Sequence, residues 1–319
     1  MAAAVALLSC SCVVAYLLLG NVFASHSIIK NLPGFPGDLP FKLETGYIGV
    51  GELDEVQLFY YFIESERSPE DDPLVLWLTG GPGCSAFSGL VYEIGPLSFD
   101  YENSKGNIPK FLLNPYSWTK VANIIFLDQP VGTGFSYATT WQAYNMKDTL
   151  STKQTYTFLR KWLIDHPTFL SNELYVAGDS YSGITVPVVV QEISDEEQGT
   201  IKQWVRCNSS LSYTKDVPTS LVYHQNLIKK GYQVLIYSGD HDIVIPYVGT
   251  EKWIKSLNLT IQYGWQPWLV DGQVAGYSVV YSQKDYHLTF ATGGGHTAPE
   301  YKPKECLAMI FRWFAEYPL

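Results

Sequence analysis

Charge is scarce in this chain. Charged residues fill 16% of its 319 positions, well under the ~25% usual for a globular protein. Aromatics reach 15%. That balance excludes a disordered chain and points to a large aromatic-lined interior or pocket. Basic residues are the scarcer sign, 21 against 31 acidic ones, for a net charge of −10. No broad face can neutralise phosphates, which argues against nucleic acid as a partner. Cysteine is also rare. Cys10 and Cys12 lie in the apolar leader, and Cys84, Cys207 and Cys306 stand far apart. They lack metal-ligand spacing, so neither a metal nor a cofactor is expected. Beyond the first two dozen residues no apolar run is long enough to span a bilayer. There is no internal repeat and no low-complexity linker, and the length suits one large α/β domain or two small ones.

The leader runs through Val13-Val14-Ala15-Tyr16-Leu17-Leu18-Leu19 to Val22-Phe23-Ala24. It reads as a secretory signal peptide, residues 1–24, cut after Ala24, although a positively charged start is missing. A membrane-anchoring helix is the alternative, because the apolar run barely reaches spanning length. Residues 25–319 then form the folded domain. Export leaves three cysteines, one disulfide and one free thiol by the simplest arithmetic. The sequons at Asn208 and Asn258 become candidate glycosylation sites.

Alternation predicts an antiparallel pair over 43–50 and 55–62. The all-apolar run 73–78 reads as a strand buried on both faces, and 123–127 as another buried strand. Helical spacing covers 148–164, 184–193 with Pro187 near the first turn, 221–230, 253–257 and 303–315. Further strands are expected at 173–177, 231–237, 277–283 and 287–291. Buried strands alternating with helices imply an α/β fold with a mostly parallel central sheet and helices on both faces.

Strand 173–177 runs into Gly178-Asp179-Ser180-Tyr181-Ser182-Gly183. A serine at the apex of a small-residue turn between strand and helix is a nucleophile elbow, which projects its hydroxyl from the sheet's end. Glycine stands at 183 instead of 182, so the turn alone also fits a helix cap. Two more strand ends carry matching chemistry in the order Ser180, Asp242, His296. A serine hydroxyl needs an imidazole to take its proton, and the imidazole needs a carboxylate to fix its tautomer. His287, in a strand-like run, and His241, beside Asp242, are rival bases; Asp240 is a rival acid that more readily shapes the turn. Acyl transfer also needs two N–H donors for a developing oxyanion. Tyr181 is the expected first donor, and Gly81, in Gly80-Gly81-Pro82-Gly83, the second.

The stretches 77–85, 123–137, 176–183, 237–242 and 294–300 together resemble the serine carboxypeptidase-like family, its plant branch especially, over nearly all of the chain from Ile28. The resemblance implies an α/β-hydrolase fold, a Ser180/Asp242/His296 triad, an oxyanion hole from Gly81 and Tyr181, and a Cys84–Cys207 disulfide that leaves Cys306 free. Within the family, peptidases grip a substrate carboxylate, whereas acyltransferases move an acyl group from a glucose ester to an acceptor. The implied substrate-binding positions are Thr79, Gly80, Glu93 and Asp179. Thr79 stands where peptidases use asparagine, and Asp179 where they usually use glutamate. Threonine supplies one hydroxyl in place of two N–H donors. Both changes resemble the acyltransferase branch. The expected partners are a small acylglucose ester and an acceptor, or a peptide C-terminus, with no stable membrane span after leader cleavage. Vacuole and cell exterior are the expected destinations.

The chain is shorter than that family pattern. Only 62 residues separate Ser180 from Asp242, and no apolar strand run lies near 199–207. A truncated cap region and one absent strand are expected there, with two open sheet edges as the physical consequence. A catalytically impaired secreted product is therefore a further expectation beside the enzyme.

Overall fold

The computed structural model describes residues 25–104, 108–193 and 212–319. The expected signal peptide, Cys207, Asn208 and the 199–207 junction lie outside the described residues. Strands β1 (Ser25–Ile29), β2 (Leu43–Val50), β3 (Val56–Ile63), β4 (Leu74–Leu78), β5 (Asn123–Leu127) and β6 (Leu174–Gly178) form one sheet in the order β1-β2-β3-β5-β4-β6. The short strand Tyr137–Ala138 joins it beside β3. β4 and β5 carry no polar side chain except Asn123, and every residue in them is buried. Successive strand residues face opposite sides of a sheet. Val75, Trp77, Ile124 and Phe126 accordingly enter one core cluster, and Leu74, Leu76, Leu78, Ile125 and Leu127 the other. Both faces need cover. Helix α1 (Asp148–Asp165) supplies Phe158, Leu159 and Trp162 to the second cluster. Helix α2 (Ser182–Glu192) adds Val189 to it.

The C-terminal half contains helices α3 (Leu221–Lys230) and α4 (Tyr247–Ser256). Its sheet consists of β7 (Gln233–Ser238), β8 (Thr260–Val270), β9 (Gln273–Gln283) and β10 (Tyr286–Thr292), in the order β7-β10-β9-β8. Helices α5 (Ala298–Tyr301) and α6 (Pro303–Phe314) follow. Within the two large sheets, parallel pairing joins β5 to β4, β4 to β6, and β7 to β10. These are the strands whose ends carry the chemistry, and antiparallel pairs flank them. Cys306, Met309 and Ile310 of α6 close the first core cluster. Among the described residues no helix is long and apolar enough to cross a membrane.

Among the described residues β6 pairs with β4 alone and β7 with β10 alone, so the two sheets share no ladder. Burial reflects this. All five β4 residues are buried, whereas none of the five β6 residues is, and Leu174 is 38% exposed. An unpaired edge keeps its N–H and C=O groups against water. A short backbone ladder, Met146–Lys147 paired with Tyr213–Thr214, and side chains join the halves instead. Tyr175 of β6 packs on Phe314 and Trp313, with ring centroids 4.7 and 5.2 Å apart. Leu235 and Tyr237 of β7 pack into the same cluster.

Two expectations need correction. Pro187 lies inside α2, at its sixth residue, not near the first turn. It cannot donate to a carbonyl one turn back, but it and its neighbours Val188 and Val189 are buried, and tertiary packing carries the helix through. The helix read at 253–257 begins at Tyr247. An 11-residue strand, β8, was not expected at all. Gly264 and Pro267 break its alternation, and the structure absorbs them through register shifts against β9.

Candidate active site

β6 ends at Gly178, and two residues later Ser180 sits at φ +49°. That left-handed conformation is unfavourable for a residue with a Cβ and is retained only where surroundings enforce it. The enforcement is close packing. A Cβ on Gly178 would overlap Leu78 O, and a Cβ on Gly80 would meet Tyr181 N at 2.7 Å and Ser180 Cβ at 2.8 Å. Ser182 Oγ, at the start of α2, donates to Leu78 O at 2.6 Å and ties the elbow to the end of β4.

β10 ends at Thr292 and leads into Gly293 and Gly294, at φ +136° and +95°, which turn the chain back over the sheet edge to His296. His296 Nε2 lies 2.9 Å from Ser180 Oγ, and His296 Nδ1 lies 2.8 Å from Asp242 Oδ2. With the Nδ1 proton donated to Asp242, Nε2 presents its lone pair to the serine hydroxyl. The Asp242 side chain is 5% exposed, and its other oxygen accepts from Val244 N at 2.7 Å and Ile245 N at 3.1 Å. Burial pushes this carboxyl up, but the His296 hydrogen bond and the two amides hold it below its ordinary value. The rivals make no hydrogen bond with Ser180 among the described residues. His287 is exposed within β10, and Asp240 and His241 are exposed in the turn after β7, where the His241 backbone N–H donates to Gly294 O at 3.1 Å.

The glycine loop after β4 lies against the elbow. Gly80 N–H donates to Asp179 Oδ1 at 2.9 Å, joining the loop to the residue before Ser180. Among the described residues the N–H groups of Gly81 and Tyr181 make no hydrogen bond, which leaves both as donors for a ligand beside Ser180. Thr79 is buried and its Oγ1 accepts from Trp77 Nε1 at 3.1 Å; Glu93 and Asp179 are buried as well. Cys84, in the same loop, is disulfide-bonded, and its expected partner Cys207 is outside the described residues. Cys306 is the free thiol among the described residues, and burial pushes it up to about 12. Asn258 is exposed just after α4.

Sequence reasoning missed Asp128. Fully buried at the end of β5, it accepts from Ser85 Oγ at 2.7 Å, Ala86 N at 2.8 Å and Phe135 N at 2.9 Å, and so anchors the far side of the glycine loop. Burial raises its carboxyl to about 6, although these three bonds oppose the shift. The available signal was an aspartate directly after the apolar run Ile124–Leu127, where a charge survives only if donors surround it.

The serine carboxypeptidase family model matches residues 33–202 and 198–316. Serine carboxypeptidase-like 17 of Arabidopsis thaliana is 39% identical, over 95% of this chain and 96% of that protein. Serine carboxypeptidase-like 1 of the same plant is 40% identical, over 92% of this chain and 94% of that protein. The first alignment runs over 424 residues against a chain of 319, so the relative carries on the order of a hundred residues that are absent here. The two family-model matches meet within 198–202. A prohormone-processing carboxypeptidase from Saccharomyces cerevisiae shares the fold, with a TM-score of 0.70 at 16% identity, covering 86% of this chain and 91% of that one. The hydroxyl–imidazole–carboxylate line thus sits on an α/β-hydrolase fold, and the chain belongs to the serine carboxypeptidase family, in a shortened form.

Proposed function

We propose that this protein is an acyltransferase that moves an acyl group from a glucose ester to an acceptor through a Ser180 acyl-enzyme. The observation that carries the reading is the unbroken line of hydrogen bonds from Ser180 Oγ through His296 to Asp242. Ser180 Oγ attacks the ester carbonyl as His296 Nε2 takes its proton. Asp242 holds the imidazole's orientation and stabilises the imidazolium. The Gly81 and Tyr181 amides receive the oxyanion. Collapse returns the proton to the departing sugar oxygen. His296 then takes a proton from the acceptor hydroxyl as its oxygen attacks the acyl group, and gives that proton to Ser180 Oγ as the Ser180 ester bond breaks.

The preference for transfer over peptide trimming rests on Thr79 and Asp179. Thr79 offers no amide pair to a terminal carboxylate. One oxygen of Asp179 is already committed to Gly80 N–H. Within this reading, residues 1–24 are a cleaved signal peptide, the mature chain 25–319 is one domain in the secretory pathway, vacuolar or extracellular, Cys84 pairs with Cys207, and Asn208 and Asn258 are glycosylated. Thr79, Gly80, Glu93 and Asp179 surround the bound sugar or acyl group.

Incubation with a 1-O-acylglucose and a panel of alcohol acceptors tests the reading, with an N-blocked dipeptide that has a free C-terminal carboxylate alongside. Ester product without peptide trimming is expected; trimming without transfer reverses it in favour of a serine carboxypeptidase. The half-exposed β6 edge supports one other reading, a folded but catalytically impaired product. Failure of soluble, folded protein to label at Ser180 with a fluorophosphonate would favour that reading.

A further inference from the structure

Asp148, the first residue of α1, is completely buried, and three donors converge on it. Tyr181 OH donates to Oδ1 at 2.9 Å, Tyr213 OH to the same oxygen at 2.7 Å, and Val217 N–H to Oδ2 at 3.0 Å. Tyr181 directly follows Ser180, and its polar groups are assigned one by one. Its carbonyl accepts from Ile184 N at 2.9 Å, its hydroxyl is held by Asp148, and its N–H alone has no acceptor among the described residues. Burial, and then the Asp148 bond, raise both phenols well above their ordinary value, so each stays a neutral donor.

We propose that Asp148 is a positioning residue for the oxyanion donor, fixing the direction of the Tyr181 N–H through the Tyr181 hydroxyl. The inference rests on the acyl-transfer reading and deepens it. Ser180 at φ +49° is a disfavoured turn that relaxes unless both flanks are held. Gly80 and Asp179 grip the side before the serine. On the side after it, the Tyr181–Asp148 bond grips the residue that carries the donor N–H, and the Ser182 Oγ bond to Leu78 O holds the next one. Displacing an oxyanion donor even slightly weakens it, because the bond must form at the position of the developing charge. The same carboxylate also anchors Tyr213 and Val217, close behind the junction of the two family-model matches. The returning chain and the oxyanion donor therefore share one support.

The two phenols allow a direct test. Tyr181→Phe and Tyr213→Phe each remove one hydroxyl from the same Asp148 oxygen, but only the first lies on the elbow. Phosphonylation by a fluorophosphonate places charge on the phosphonyl oxygen at the oxyanion position, so its kinact reads donor alignment and its KI reads binding. In Tyr181→Phe, kinact is expected to fall about tenfold with KI changed less than about twofold, a smaller loss than deleting a donor, since the N–H remains. Tyr213→Phe should keep both constants while its melting temperature falls as far as that of Tyr181→Phe. Wild-type kinact in Tyr181→Phe, or an equal fall in Tyr213→Phe, overturns the inference and leaves the acyl-transfer reading standing. Unlabelled wild-type protein sinks that reading, and the inference with it. If Tyr181→Phe does not fold, Asp148→Asn carries the same expectation for kinact and KI.

Discussion

Replacing Gly80 with alanine puts the oxyanion loop and the elbow in direct conflict. The added Cβ would meet Tyr181 N at 2.7 Å, Asp179 O at 2.8 Å and Ser180 Cβ at 2.8 Å, against ordinary contacts of 3.4 Å or more. Two of the three obstacles are backbone atoms of the elbow, which cannot rotate aside. The loop must therefore withdraw by more than half an ångström and carry Gly81 with it. The Gly80 N–H bond to Asp179 Oδ1 and the Cys84 N–H bond to Gly80 O, at 2.9 and 3.2 Å, stretch in the same movement. Loss of one oxyanion donor costs about 10²–10³ in kcat, and Gly80→Ala should approach that figure without unfolding the protein. The assay pairs fluorophosphonate kinact with acyl-transfer kcat, and a melting curve separates misalignment from collapse. A folded Gly80→Ala variant that reacts within about threefold of wild type would refute the reasoning, because the loop would then not be in register with the transition state.

Asp242→Asn should keep KM and lower kcat by about 10⁴, because an amide favours the wrong imidazole tautomer; steady-state kinetics on the transfer reaction checks this. The His166–Glu44 pair, at 2.8 Å, should make stability depend on pH in two limbs. Burial lowers the His166 imidazole, but Glu44 more than offsets it and raises it above 6.5; burial raises Glu44, and His166 and Tyr60 bring it below 4.5. The pair's contribution is thus full between those two values, is lost as pH rises through the raised His166 value, and is lost again as pH falls through the lowered Glu44 value. Melting temperatures from about pH 3 to 8 should show both limbs flattened in Glu44→Gln. Asp128 runs the other way. Burial lifts it from 3.8 to about 6, so its contribution is present below the lower value and fades as pH rises through the upper one. The linkage amounts to about 3 kcal/mol, and chemical denaturation of Asp128→Asn across that range should show a shallower slope.

The strands that position the site were legible because they admit one reading. Leu74–Leu78 and Asn123–Leu127 are too apolar for any place but the middle of a covered sheet. The elbow and the glycine turn before His296 were legible for a related reason, since only small residues pass where backbones nearly touch. What escaped depends on contacts distant in sequence. Nothing local to Asp148, and nothing near Asp128 beyond the apolar strand before it, announces the donors that arrive from Ser85, Phe135, Tyr181 and Tyr213. β8 escaped because its pairing with β9 tolerates a glycine, a proline and several register shifts that a pattern of alternation forbids. Pro187 was misplaced because burial of its neighbours, not local preference, keeps α2 continuous.

The separation of the two ladders gives the 2.9 Å contact between Ser180 and His296 an unusual mechanical status. The hydroxyl rides on one plate and the imidazole on the other, and among the described residues no backbone ladder joins the two large sheets, only the short pairing of Met146–Lys147 with Tyr213–Thr214 crossing the break. A slip of a fraction of an ångström along the aromatic seam of Tyr175, Trp313 and Phe314 would open or close the proton's path. If the proposed acyl transfer proceeds, its turnover is tied to the stiffness of a side-chain seam, and solvent viscosity, pressure and substitutions along that seam become handles on its rate.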